Sequence, residues 1–411
     1  MRESGSRRAL QWLTYRGVSA LLHQPRALRL LASLVRHQPW VGRFAKMVAT
    51  RNEVVACLQR PLAFSSTVNR PNLVAGDFVI GMESGPRHDS ERHLLVSKLP
   101  GPDAFARHAA DASRQRIEDL LAGPERKFDL LDEYMVPVAW EAISRAFGAL
   151  LPALAPGDPM LMNIRYVGAH LVVGSIATES VQRRAMDSAT EMNAWVRGQI
   201  DDLQSAWGMV SASEREEVAR NVVGLLWVGH PATAQSGALI VQELFGRRSE
   251  RKLAQLSSLV RAHADPWQDD GLRQALKDHV LELLRFRPPF PMLKRDVRRD
   301  TRYGPEGENP ITGGTQLTLL MLGAMFDPEA MMSSPTRYEP GREFRNPRDR
   351  YLVFGWGARQ CIARDVVVEI LAGALLGVLL LPQLTWADPW WRRIRYDGPM
   401  IAKMRVKFRK G

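Results

Sequence analysis

The chain has 411 residues, 45% of them hydrophobic and 24% charged, a composition that excludes disordered and fibrous classes and permits a large buried core. Its two cysteines, Cys57 and Cys361, are too few for a disulfide framework or a four-cysteine zinc site, but a metal held by one sulfur passes this filter. The net charge of +12 sits at the ends: residues 1–60 hold eleven Lys/Arg against Glu3 and Glu53, residues 390–411 hold eight against Asp397, and the stretch between is net negative, a pattern that argues against nucleic-acid binding.

Residues 1–45 form a basic amphipathic segment, and the stretch Ala27 to Met47 interleaves apolar residues with Arg and Lys. Such a segment either packs on its own domain or lies on an anionic membrane or an acidic partner. Neither a signal peptide nor a transmembrane span is visible; the longest apolar run, Ile370 to Leu381, is twelve residues and reads as a buried helix, so a cytoplasmic location is expected. Strand-like pieces follow at 52–57 and 76–80; in the first, Cys57 reads as a small buried hydrophobe. Apolar residues at three-to-four spacing predict helices over 103–122, 139–152, 180–208, 213–245, 249–263, 271–287 and 362–381, with Ser213-x-x-Glu216 as a capping box. The helix before Gly246 would be about 50 Å long and, being apolar from Val222 to Gly229, should cross the core. Long irregular loops are expected at 303–315 and 327–349, with strands at 316–321 and, as an edge, 401–408. Trp390-Trp391 beside Arg392-Arg393 reads either as a docking patch for a membrane or partner or as a packed aromatic pair with a solvated basic flank. No linker or repeat divides the chain, so residues 1–411 are expected to form one domain, mainly α with small β-sheets.

The segment Phe354-Gly-Trp-Gly-Ala-Arg-Gln-Cys361-Ile-Ala363 leads directly into the apolar helix. Its glycines permit a tight turn, and a cysteine entering a helix N-terminus gains thiolate stabilisation from unsatisfied N–H groups, with Arg359 adding positive charge. A lone cysteine without a nearby histidine base points to a ligand rather than a nucleophile, and haem iron needs one such sulfur.

With Phe-Gly-x-Gly-x-Arg-x-Cys-x-Ala complete, the sequence resembles the cytochrome P450 family. Glu282-Leu-Leu-Arg285, Pro288-Pro289 and Tyr338-Glu-Pro-Gly-Arg342 follow the family's order, as does His88-x-x-x-Arg92, whose spacing puts both side chains on one helix face. The resemblance implies a single-domain P450-like fold carrying haem b on the Cys361 thiolate. It also implies cofactor contacts from His88, Arg92, Arg295, Phe354, Gly357 and Arg359, with four of these basic groups on the haem propionates. Glu282, Arg285 and Arg342 would form a structural lock. A hydrophobic small molecule would be oxidised, with electrons from a ferredoxin or flavoprotein reductase and substrate contacts from Trp227, Phe290, Met292 and Leu293.

The long helix departs from the family. Where oxygen-activating members carry an acid and a threonine, this chain has Pro231 and Ala232, preceded by His230 and followed by Thr233, which lies about 100° further round the helix. Proline removes the N–H that would bond the Trp227 carbonyl and should open or kink the helix. These four residues are the candidate catalytic set, with His230 either an acid/base or a packing residue. The departure leaves three readings: a monooxygenase, a peroxygenase or fatty-acid hydroperoxide isomerase supplied with a ready-made O–O bond, and a haem-binding sensor without catalysis.

Overall fold

The computed structural model describes residues 5–66, 78–122, 125–146, 151–152, 154–155, 157–173, 177–199, 211–246, 250–304, 306–346 and 351–409. Three helices open the chain: α1 (Gly5–Leu22), α2 (Pro25–His37) and α3 (Pro39–Ala45). The short strand β1 (Met47–Val48) and helix α4 (Arg51–Leu58) follow. The expected strand at 52–57 is therefore a helix. Thr50 and Glu53 decide it: the Thr50 hydroxyl accepts from the Glu53 N–H at 3.3 Å while the Glu53 carboxylate accepts from the Thr50 N–H at 3.3 Å, a complete capping box that outweighs the β-branched pair Val54-Val55. Cys57 is buried on this helix, where burial and nearby Glu53 push its thiol up to about 12.

After β2 (Phe64–Ser65) come α5 (Pro86–Lys98), α6 (Pro102–Leu121), β3 (Glu125–Asp129), α7 (Val136–Ala146), α8 (Pro159–Val173) and α9 (Glu179–Gly198). Phe78–Ile80 is a turn, not a strand, closed by the Gly81 and Met82 N–H groups on the Phe78 carbonyl; residues 76 and 77 lie outside the described residues, as do 147–150 and 200–208 of two expected helices. The long helix α10 (Ala212–Leu244) is capped by Ser211, whose hydroxyl accepts from the Glu214 N–H at 3.1 Å, two residues before the cap expected from sequence. Helices α11 (Glu250–Arg261) and α12 (Asp270–Phe286) precede β4 (Leu293–Val297), β5 (Thr301–Tyr303), β6 (Asn309–Ile311) and β7 (Gln316–Leu319). The loop expected at 303–315 thus includes one side of the β5–β6 hairpin. A short helix α13 (Met321–Ala324), helix α14 (Arg364–Leu380) and strands β8 (Thr385–Trp386), β9 (Ile394–Asp397) and β10 (Met400–Arg409) complete the chain.

One sheet has the order β1-β7-β4-β2, with β1 parallel to β7 and the other pairs antiparallel. In the other, β10 lies between β3 and β8 and also pairs with β9, so it is central rather than the expected edge. The alternation that suggested an edge instead buries Met404, Val406 and Phe408.

α10 and α14 form the spine of the helical region. α14 packs on α6, α12 and α10; α10 also packs on α7 and α8. Close approach depends on glycine at two points on α10: a Cβ on Gly224 would come within 2.2 Å of the Phe78 ring, and one on Gly237 within 2.4 Å of Met135 Sδ.

Candidate active site

Glu282 and Arg285, three apart on α12, pair in two hydrogen bonds of 2.8 and 2.7 Å. Arg342 adds contacts of 3.3 and 3.1 Å to the same carboxylate, Tyr351 donates to it at 3.2 Å, and the Glu339 N–H at 3.0 Å. Arg285 also donates to the carbonyls of Met325, Pro335 and Arg337. The side chains of Glu282, Arg285 and Arg342 are inaccessible to water, and each spare donor and acceptor is used, which makes a buried charge cluster tolerable. The cluster ties α12 to the irregular stretch ahead of the cysteine loop.

That loop turns twice at positive φ, at Gly355 (76°) and Gly357 (71°), where a side chain would be strained. The turns bring the Cys361 N–H to the Phe354 carbonyl at 2.9 Å and the Gln360 N–H to the Gly357 carbonyl at 2.9 Å. Gly357 does not face the cavity: a Cβ there would point at the Leu58 carbonyl of α4, so its expected cofactor contact becomes a backbone role.

Cys361 opens on a cavity of about 680 Å³. Its sulfur is accessible only from inside, so it has free surface although protein surrounds it. Burial pushes the thiol up, opposed by the Ala363 N–H and the positive charge of Arg92. The arginine expected to support the sulfur, Arg359, does not act on it directly. Its guanidinium donates instead to Ser66 Oγ at 2.8 Å, the Ile80 carbonyl at 2.9 Å and the Val79 carbonyl at 3.5 Å, and burial together with Arg92 lowers its pKa to about 10.

His88 and Arg92 both line the cavity from α5, as their spacing of four requires. Arg92 donates to the Gln360 carbonyl at 2.9 Å, holding the loop beside Cys361. His88 is buried, which lowers its pKa, while its Nδ1 lies 2.8 Å from Asp89. Arg295 lines the cavity from β4, together with Lys294, which the sequence reading missed. Among the described residues, five basic side chains therefore border this cavity, none that lines it is acidic, and the remaining wall is mostly apolar. An apolar molecule bearing carboxylates, bound on one sulfur, matches that donor set, so the residues fit haem.

α10 supplies the opposite wall through Leu225, Val228, Gly229, Ala232, Thr233 and Ser236. The spacing is that of one helical face. Trp227, His230 and Pro231 belong to the other face, which corrects three expectations. Trp227 packs edge-on to Phe78, with ring centroids 5.4 Å apart. His230 is fully buried, with Nε2 3.1 Å from the Val136 carbonyl and its ring edge-on to Trp140; burial lowers its pKa to about 4. The Pro231 ring meets α8 at Gly168, where a Cβ would fall 2.6 Å from Pro231 Cγ and 2.9 Å from the Trp227 carbonyl. The helix runs on through Pro231, and a cavity of only about 40 Å³ lies beside it. The hydroxyls that do face the main cavity bond back along the helix, Thr233 to the Gly229 carbonyl and Ser236 to the Ala232 carbonyl, each at 2.7 Å.

Phe290, Met292 and Leu293 line the cavity as expected from sequence. Thr14, Val18, Leu21, Leu22, Leu31 and Met47 line it too, and no motif in the basic N-terminal segment signalled that.

The family model for cytochrome P450 matches residues 186–366. The chain is 23% identical to 20-oxo-5-O-mycaminosyltylactone 23-monooxygenase of Streptomyces fradiae over 91% of this chain and 86% of that protein. It is 25% identical to erythromycin C-12 hydroxylase of Saccharopolyspora erythraea over 67% of this chain and 66% of the other. Among solved structures, open cytochrome P450 EryK from S. erythraea superposes with a TM-score of 0.72 at 20% identity, covering 94% of this chain and 96% of that one. CalO2 gives 0.69 at 20% identity, covering 91% and 96%. Over residues 186–366, and by these likenesses, the chain is similar to cytochrome P450s, which are haem-thiolate oxidoreductases, and the cysteine loop and basic cavity are the features that this likeness calls for.

Proposed function

We propose that the enzyme oxidises an apolar small molecule in the cavity beside Cys361, whose sulfur would hold the haem iron. The one thiol among the described residues that line a large, mostly apolar cavity carries this reading. His88, Arg92, Arg295 and Arg359 would hold the propionates, with Lys294 close by. Phe354 packs on the sulfur's side, and Ala232 and Thr233 form the wall opposite. Bound there, thiolate-ligated haem supplies activation of oxygen by O–O cleavage. This chain's residues orient the substrate and exclude water: Val228, Ala232, Phe290, Met292 and Leu293 give it an apolar seat. The S. fradiae relative is named as a monooxygenase, and the family draws electrons from a redox partner, which supports monooxygenation with a ferredoxin or flavoprotein as donor.

One observation favours peroxide as oxidant. The cavity face of α10 presents no acid, and its two hydroxyls already donate to backbone carbonyls, so the chain offers no evident proton donor on that wall. A haem-binding sensor is the reading left if neither oxidant supports turnover. The test is product formation with redox partners and NAD(P)H against product formation with hydrogen peroxide or a lipid hydroperoxide. Product only with the first sinks the peroxide reading. Cys361→Ala must abolish the thiolate-type Soret band of the reduced, carbon-monoxide-bound protein; retention of that band removes Cys361 from the site.

A further inference from the structure

The exposed apolar side chains are concentrated at one end of the sequence. Among the described residues, fourteen large hydrophobics are exposed, and seven of them lie between Leu10 and Phe44. A scatter of single exposed apolar residues is ordinary; a concentration like this is not. On α2 the two sides are distinct: Leu28, Ala32 and Val35 are buried, whereas Leu30 (72%) and Leu34 (49%), four apart, face outward. α3 repeats the arrangement with Trp40 (61%) and Phe44 (86%). α1 adds Trp12, with the Arg16 guanidinium 4.8 Å over its ring.

Charge on the same helices has one sign. Residues 4–52 contain nine Arg and Lys and no acid. Three of the nine are used inside: Arg36 donates to the Gly323 carbonyl, Arg29 stacks over Phe326, and Arg51 is buried over the Phe344 ring. Arg16, Arg26, Arg43 and Lys46 are exposed. The fold then brings the second basic end of the sequence to the first. His23 stacks on Tyr396 at 3.6 Å and lies 2.8 Å from the Gly398 carbonyl, so the β9–β10 turn packs against the end of α1. Just ahead of β9, Trp390 and Trp391 are exposed as an edge-to-face pair, followed by Arg392 and Arg393.

We infer that α1–α3, with the Trp390–Arg393 segment as a neighbouring contact, form a face that binds an anionic lipid bilayer peripherally. Outward Leu and Phe enter the acyl boundary, Trp sits at the headgroup level, and the exposed Arg and Lys meet anionic headgroups without a competing acid on the helices. No helix of the described residues is long and apolar enough to cross a membrane, so binding is to the surface. A second copy of the chain fits less well, because two such basic faces repel each other. This inference does not depend on the oxidant used in the cavity.

The test is sedimentation of the full-length chain with vesicles of phosphatidylcholine alone or with about 30 mol% phosphatidylglycerol, at low salt and at about 0.5 M salt. The expected result is at least about tenfold stronger binding to the anionic vesicles, lost at high salt. Trp40→Ser with Phe44→Ser should weaken binding to anionic vesicles by about tenfold or more, and Arg43→Glu with Lys46→Glu should abolish the preference for anionic lipid. All four side chains are exposed, so unchanged melting curves confirm that the variants fold. Absence of binding, or equal binding to both vesicle types, overturns the inference. So does a dimer in light scattering that Trp40→Ser with Phe44→Ser dissolves while vesicles bind neither form.

Discussion

The two faces of α10 differ in nearly every physical respect. Toward the cavity, the helix shows Val228, Gly229, Ala232 and Thr233, and a Cβ on Gly229 would meet nothing within 4 Å. Away from it, Trp227, His230 and Pro231 are buried, and α8 comes so close at Gly168 that a Cβ there would meet Pro231 and the Trp227 carbonyl. One face borders open cavity space, and the other is dense core. Residues adjacent in sequence therefore divide by helical position into those that line the cavity and those that pack behind it.

His230 gives the largest expected effect on the packed face. Its pKa is held near 4 in the folded protein, below the ordinary value of 6.5, so between those values the unfolded chain binds the extra proton. Stability should fall as pH drops from about 6.5 to about 4, by roughly 3 kcal/mol from this group, and be unaffected by it above pH 6.5. His230→Asn should remove that part of the acid dependence, as read by urea unfolding across pH; an unchanged slope would place the histidine in contact with water.

Gly168→Ala comes next. Its Cβ would collide with Pro231 Cγ and the Trp227 carbonyl, at an expected cost of about 1–3 kcal/mol. The ligand-binding spectrum of the folded fraction should not move, and a large spectral shift would mean that the two faces are coupled.

Activity distinguishes the faces in a third way. Ala232→Thr places a hydroxyl in the cavity and should raise oxygen-dependent turnover about tenfold if proton supply limits it. Pro231→Asp points its carboxylate at Gly168 and should lower stability without that gain. The reverse result in steady-state rates would invert the assignment of faces. The smallest expected effect is Gly229→Ala, which should stabilise the helix by about 0.5–1 kcal/mol in a thermal melt because the methyl has space, while altering substrate affinity.

The cysteine loop, the Glu282–Arg285–Arg342 cluster and the α5 pair were legible in sequence because each depends on short fixed spacing and special chemistry. The α10 wall was half legible. The stripe Leu225, Val228, Gly229, Ala232, Thr233, Ser236 is present in the sequence, but attention to consecutive residues around Pro231 placed Trp227 and His230 on the wrong side. At residues 51–58 the Thr50-x-x-Glu53 capping box present in the sequence overrides the strand propensity of Val54-Val55. The cavity wall from α1 and α2 had no local signal, because only long-range packing turns Val18, Leu22 and Leu31 inward.

The contact between α1 and the β9–β10 turn also bears on the order in which the molecule is made. His23 and Gly398 are 375 residues apart, so this contact at the end of α1 cannot form until all the residues between them have been made. Thr14, Val18 and Leu22 then belong to a wall that closes last. A chain halted before β9 would leave the end of α1 without its contacts to Tyr396 and Gly398.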